Sequence, residues 1–87
     1  MITTVVTDIV NKYDLEGLFD MGCPVDEYTP EIQAITAFVI NNYKHLNPII
    51  LADNIQHVFN HYFKALYDFE VCEEMAYEII LGIKGGF

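Results

Sequence analysis

Basic residues are scarce in this chain. Four lysines and arginines stand against thirteen aspartates and glutamates, a formal charge of -9 over 87 residues. A phosphate backbone or an anionic bilayer repels such a composition, and too few cations are present for the electrostatic footprint of a nucleic-acid binder. Neither nucleic acid nor membrane is therefore expected as a partner. Cysteine is equally thin. Cys23 and Cys72 match no C-x-x-C spacing, and two thiols do not build a disulfide scaffold. No apolar run approaches the roughly 18 residues of a membrane span. The start, MITTVVTDIVNKYD, has neither a basic n-region nor a long apolar core and does not read as a signal peptide. A cytoplasmic location with reduced thiols is the expectation. There is no internal repeat, no low-complexity segment, no G-x-S-x-G and no phosphate loop, so the residues identify no cofactor and no small-molecule substrate.

What the chain does have is apolar surface. Hydrophobic residues make up 53% of it and the mean hydropathy is +0.25, slightly above an ordinary soluble domain and well outside the composition of disorder. Eighty-seven residues form one domain, 1–87, with a thin core. The surplus predicts that part of the apolar or aromatic surface is covered by a protein partner, a second copy in a homodimer included. An acidic surface speeds encounter with a basic protein, although solubility alone accounts for net charge.

The hydrophobic period predicts four helices and no strand. Thr3 or Thr4 can cap the first, whose stripe is Val5, Val6, Ile9, Val10 and Tyr13. From Asp14 to Thr29 no period holds, because Gly17, Gly22 and Pro24 break it. A connection this long in a small domain is packed down by its own side chains or functional, and Leu15, Leu18, Phe19, Met21 and Val25 can plug it. Thr29-Pro30-Glu31 starts the second helix, with Thr29 as cap and Glu31 at the positive end of the dipole. Its stripe is Ile32, Ile35, Val39, Tyr43 and Leu46. Ala34, Ala37, Phe38 and Ile40 lie off that stripe, which suits a central helix or one facing another subunit. Asn47-Pro48 repeats the start signal for a third helix with Leu51, Ile55, Val58, Phe59, Tyr62, Phe63 and Leu66 on one face. Asp68 can cap a fourth, with Cys72, Met75, Ala76, Ile79, Ile80 and Ile83 inside and Glu73, Glu74 and Glu78 facing water. Gly82 is a natural stop. The fold class is all-α: a small four-helix bundle with a long loop between helices one and two.

Three clusters have a chemical reading beside a plain one. His57 and His61 are spaced i, i+4, with Asp53 one turn earlier, which can hold a divalent metal. The segment HVFNH lacks the glutamate of a metalloprotease helix, and a solvated polar stripe explains it better, so no metal site is assigned. Asp26, Glu27 and Glu31 could pair for acid–base work, yet nothing supplies an apolar pocket or a nucleophile. Carboxylates near a helix start offset its dipole, and Tyr28 ahead of the cap can pack back on the helix. The same segment can bind protein, and Asp26, Glu27, Tyr28, Glu31 and Phe38 are its candidate contacts. Tyr28, Tyr67 and Tyr77 are the tyrosines to follow for exposure, since interface centres favour tyrosine. Cys23 has acids around it that oppose a thiolate, and Cys72 lies on a core stripe. No catalytic residue is assigned.

The segment YDLEGLFDMGCPVDEYTPEIQAI, Tyr13 to Ile35, carries Asp14, Leu15, Leu18, Gly22, Pro24, Asp26, Glu27, Tyr28, Pro30, Glu31 and Ile32 in an order that resembles the YugE-like family of small bacterial proteins, a domain-of-unknown-function family. The aliphatic face of helix three and the Cys72–Ala76–Ile79 spacing look similar as well. The resemblance implies a small helical protein with no assigned activity, catalytic residue or cofactor. Its D-E-Y segment is also similar to one in small immunity proteins that neutralise bacterial toxins. The expected function is a protein-binding or self-associating module without catalysis. The alternatives are an immunity protein masking a basic toxin and a small metal-dependent enzyme using Asp53, His57 and His61.

Overall fold

Asn47 and Asp68 set where the second half of the chain coils. In the computed structural model the Asn47 side-chain oxygen accepts the Ile50 N–H at 2.9 Å, and the Asp68 carboxylate accepts the Glu70 N–H at 2.9 Å. Each satisfies a first-turn donor that would otherwise have no partner in its helix, a contribution of about 1 kcal/mol. The structure describes residues 2–15, 17, 22, 28–64 and 67–85. Among these are four α-helices and no strand: α1, Ile2–Tyr13; α2, Thr29–Asn41; α3, Pro48–Phe63; and α4, Phe69–Ile83. A 3-10 turn, Tyr43–His45, links α2 to α3.

The helices close a ring. α1 packs on α2 and on α4, α2 on α3, and α3 most extensively on α4. The predicted stripes meet at the centre: Val6 and Val10, Ile35 and Val39, Leu51, Ile55 and Phe59, and Cys72, Met75 and Ile79 are all fully buried. The four-helix bundle expected from the hydrophobic period is thus the observed architecture, and its radius of gyration is 12.0 Å.

The predicted element ends shift in four places. α1 begins at Ile2, so Thr3 and Thr4 lie inside the first turn. α2 begins at Thr29, which puts Tyr28 at the cap position without a side-chain cap bond. It ends at Asn41 instead of running on to Leu46: the Asn42 side-chain nitrogen joins its own N–H on the Phe38 carbonyl, and the chain passes into the 3-10 turn Tyr43–His45. α4 runs through Gly82 to Ile83, and the left-handed backbone sits at Gly85, φ +81°.

A polar brace ties α1 to α4. The Lys12 ammonium and the Tyr13 hydroxyl both donate to the Glu78 carboxylate, so Glu78 does not simply face water. These bonds, Lys12's first, hold the Glu78 carboxyl below its ordinary value of 4.5. The bond to Glu78, then burial, pushes the Tyr13 phenol from 10.0 to about 12. A carboxyl depressed by folding stabilises above its unfolded pKa and loses that contribution as pH falls through the folded one. A phenol raised by folding stabilises below its unfolded pKa and loses that contribution between pH 10 and about 12. Lys12 and Glu78 are partly solvent-exposed, so Glu78→Gln should cost only about 0.5–1 kcal/mol. Urea melts should show that cost on a plateau from about pH 5 to 10 and show it vanish on the acid side.

Candidate functional site

Of the five predicted contact residues, Asp26 and Glu27 lie outside the described residues, as does Cys23. Two of the others are inside the protein. Tyr28 is completely buried, and Glu31 is 2% exposed in the first turn of α2. The Tyr28 ring fills the gap between the start of α2 and the end of α3. It lies 6.0 Å from Phe59 and 6.2 Å from Phe63, centre to centre, and its hydroxyl donates to Asp14 at 2.5 Å. Tyr67 closes the same cluster edge-on to Phe59. Of the three tyrosines followed for exposure, Tyr28 is core, Tyr67 is half-buried and Tyr77 is 56% exposed. Phe38 is half-buried. It lines a shallow groove of about 450 Å³ with Asn42, Ile50, Asp53, Asn54 and His57.

Asp53, His57 and His61 are all exposed on α3. Among the described residues no group of three or more His, Cys, Asp or Glu side chains is placed to hold a metal ion. Cys72 is fully buried, and burial first, then the Asp68 charge, pushes its thiol up to about 11. Thiolate is the reactive form, and no path leads to it. In a Cys23→Ser variant, a colorimetric thiol reagent at neutral pH should leave the native protein unlabelled and react fully only after denaturation. Rapid native labelling would mean that Cys72 is accessible.

Tyr62 and Tyr77 are exposed singly, and the other large exposed apolar side chains of the described residues stand at one end of the bundle, where α1 and α3 begin and α2 and α4 end. Ile2, Ile40, Tyr43 and Ile83 line an open groove of about 330 Å³ there. Ile40 is 57% exposed, and Ile49, in the first turn of α3, is 63% exposed. Ile50, also exposed, carries the apolar surface toward the Phe38 groove. Ile40 was legible as an off-stripe residue of helix two. Ile49 and Ile50 were missed, although the signal existed. At about 100° per residue both stand at least about a third of a turn from the centre of the Leu51–Ile55–Phe59 stripe, on the face turned from the core.

Charge is unevenly spread over the two ends. Residues 1–7, 32–52 and 79–87 contain no aspartate or glutamate, and the start of α1, the end of α2, the start of α3 and the end of α4 fall within these stretches. Lys44 and Lys84 stand there, the Lys84 ammonium 5.5 Å from the centre of the Tyr43 ring. At the opposite end are Asp14, Glu31, Asp68 and Glu70, and the connection that leaves and returns there carries Glu16, Asp20, Asp26 and Glu27 in its sequence. No helix is long and apolar enough to cross a membrane among the described residues.

Comparison with known proteins finds one family. The profile of a domain of unknown function (DUF1871) matches residues 5–86. No curated protein and no solved structure matches.

Proposed function

The chain belongs to the DUF1871 family, a domain of unknown function, and from its own surface we propose that it works as a protein-binding module that makes and breaks no covalent bond. One observation carries this reading. Ile40, Tyr43, Ile49 and Ile50 are left uncovered together at one end of a bundle whose buried residues already form a complete core. Scattered exposed apolar residues are ordinary, but a contiguous cluster at one end of a small domain marks a contact surface. The narrower YugE-like likeness rests on the Tyr13–Ile35 segment. Within this reading, Tyr28 and Glu31 serve by fixing the start of α2, and Phe38 serves at the edge of the contact.

Isoleucine methyl resonances provide the test, because isoleucines occur both in the core and on the proposed surface. In extract of the protein's own cells, the methyl signals of Ile40, Ile49 and Ile50 should shift or broaden, while those of buried Ile35 and Ile55 keep their positions. Unchanged signals at all three surface residues would remove the proposal.

A further inference from the structure

We propose that the apolar end of the bundle docks an acidic amphipathic helix of another protein, with its apolar face on Ile2, Ile40, Tyr43 and Ile83 and its carboxylates on Lys44 and Lys84. This rests on the protein-binding reading above and adds the chemistry of the partner. Net charge alone points the other way, toward a basic partner. Local charge decides the matter, because screening at physiological ionic strength confines exposed charges to about 8 Å. α3 has 16 residues and runs from one end to the other, so it spans about 24 Å, three screening lengths. The described carboxylates at the opposite end, Asp14, Glu31, Asp68 and Glu70, are therefore scarcely felt at the apolar end. Among the described residues, the groove lined by Ile2, Ile40, Tyr43 and Ile83 has Lys44 and Lys84 near it and no aspartate or glutamate in its lining, while Asp53 lines the neighbouring Phe38 groove.

Lysines at the ends of α2 and α4 also offset helix dipoles. That explains why they are cationic. It does not bear on pairing, since Lys44 and Lys84, like Lys64 at the other end, have no carboxylate partner among the described residues, whereas Lys12 is paired with Glu78. It leaves the neighbouring isoleucines unexplained. A rim of cations without carboxylate partners beside an apolar groove is complementary to an apolar helix edged with carboxylates.

The same two lysines argue against other occupants. A second copy docked by the same end would bring its own Lys44 and Lys84 against this pair. An anionic membrane is recognised by clusters of about 4–8 lysines or arginines, and this end has two.

The probes are two fluorescein-labelled peptides of about 15 residues, near the shortest length that coils alone in water. One has leucine on one face and glutamate on the other, and its twin carries lysine in place of glutamate. Fluorescence polarisation at physiological salt should show the glutamate peptide binding about tenfold or more tighter than its twin, a ratio in the range that a few rim charge pairs supply. Lys44→Glu with Lys84→Glu should reverse the preference, and Ile40→Gln should weaken both peptides.

Equal or tighter binding of the lysine peptide, still lost in Ile40→Gln, would overturn the acidic partner and leave the protein-binding reading standing. Binding of neither peptide, or binding indifferent to Ile40, would overturn both. Two further results would overturn the proposal in favour of another occupant. One is sedimentation with phosphatidylserine–phosphatidylcholine vesicles without peptide binding. The other is a dimer mass by light scattering that Ile40→Gln returns to 10.0 kDa.

Discussion

Replacing Tyr28 with alanine will lower the unfolding free energy by about 3–5 kcal/mol, the range for deleting a buried aromatic ring. The ring is fully buried and packs on Phe59 and Phe63, while its hydroxyl reaches Asp14. Among the described residues it is the only fully buried aromatic contributed by the first half of the chain. Its removal opens a void beside the largest side chain of α3's core face. A domain of this length has roughly 4–13 kcal/mol in all, so a large part of its stability goes with one residue. At about 4–8 °C per kcal/mol, circular dichroism should record a fall in Tm of at least about 12 °C. Tyr28→Phe keeps the ring and loses only the hydroxyl's bond to a carboxylate, which should cost about 1.5–3 kcal/mol. A fall of only a few degrees for the alanine variant would show that Tyr28 is not part of the core. It would also return Tyr28 to the set of surface contacts for which its place in the D-E-Y segment first suggested it.

Replacing Ile40 and Ile49 together with glutamine will have the opposite profile. Both side chains are more than half exposed, and glutamine keeps good helix propensity, so stability should move by no more than about 0.5 kcal/mol per site. Binding should fall by about 30-fold or more, the loss expected when an apolar anchor at the centre of an interface, worth about 2 kcal/mol, is removed. Titration of the glutamate peptide into the double variant, set beside its urea melt, checks both halves. A destabilised double variant would mean that these isoleucines support the bundle; unchanged binding would mean that the contact lies elsewhere.

The parts of the fold that local chemistry dictates were legible in the sequence. Asn47-Pro48 and Asp68 announced two helix starts, and both caps are made by the side chains. The stripes of α1 and α4 contained every buried residue of those helices, because a helix with neighbours on one side buries one face, while Val5, Tyr13, Ile80 and Ile83 at the edges of the stripes are only half-buried. Reading failed where tertiary contacts decide. Tyr62 falls on the counted stripe of α3, yet it is 45% exposed. In that last turn Phe59 and Phe63 stack together and face Tyr28, while Tyr62 meets the ring of His61. Tyr43 was extrapolated onto the α2 stripe, but Asn42 ends that helix first, and Tyr43 is carried out to the surface.

The candidate site was less legible for a related reason. Tyr28 and Glu31 stand in a segment whose composition suggests exposure, and their burial depends on what fills the gap between α1 and α3, which no local pattern encodes. Composition pointed to an apolar surplus, and the exposed Ile40, Tyr43, Ile49 and Ile50 stand at the end away from Asp14, Glu31, Asp68 and Glu70. The apolar cluster and the acid-free stretches coincide only once α2 and α4 are seen to finish beside the start of α1.

Photo-crosslinking in the protein's own cells addresses the central claim most directly. A benzophenone amino acid is placed at position 40, at position 61 near the end of α3, or at position 27 in the acidic connection, and the cross-linked peptides are identified by mass spectrometry. Position 40 should yield an adduct to a carboxylate-rich segment of another chain, and positions 61 and 27 should yield none. Adducts from position 27 to a basic chain, with none from position 40, would contradict it.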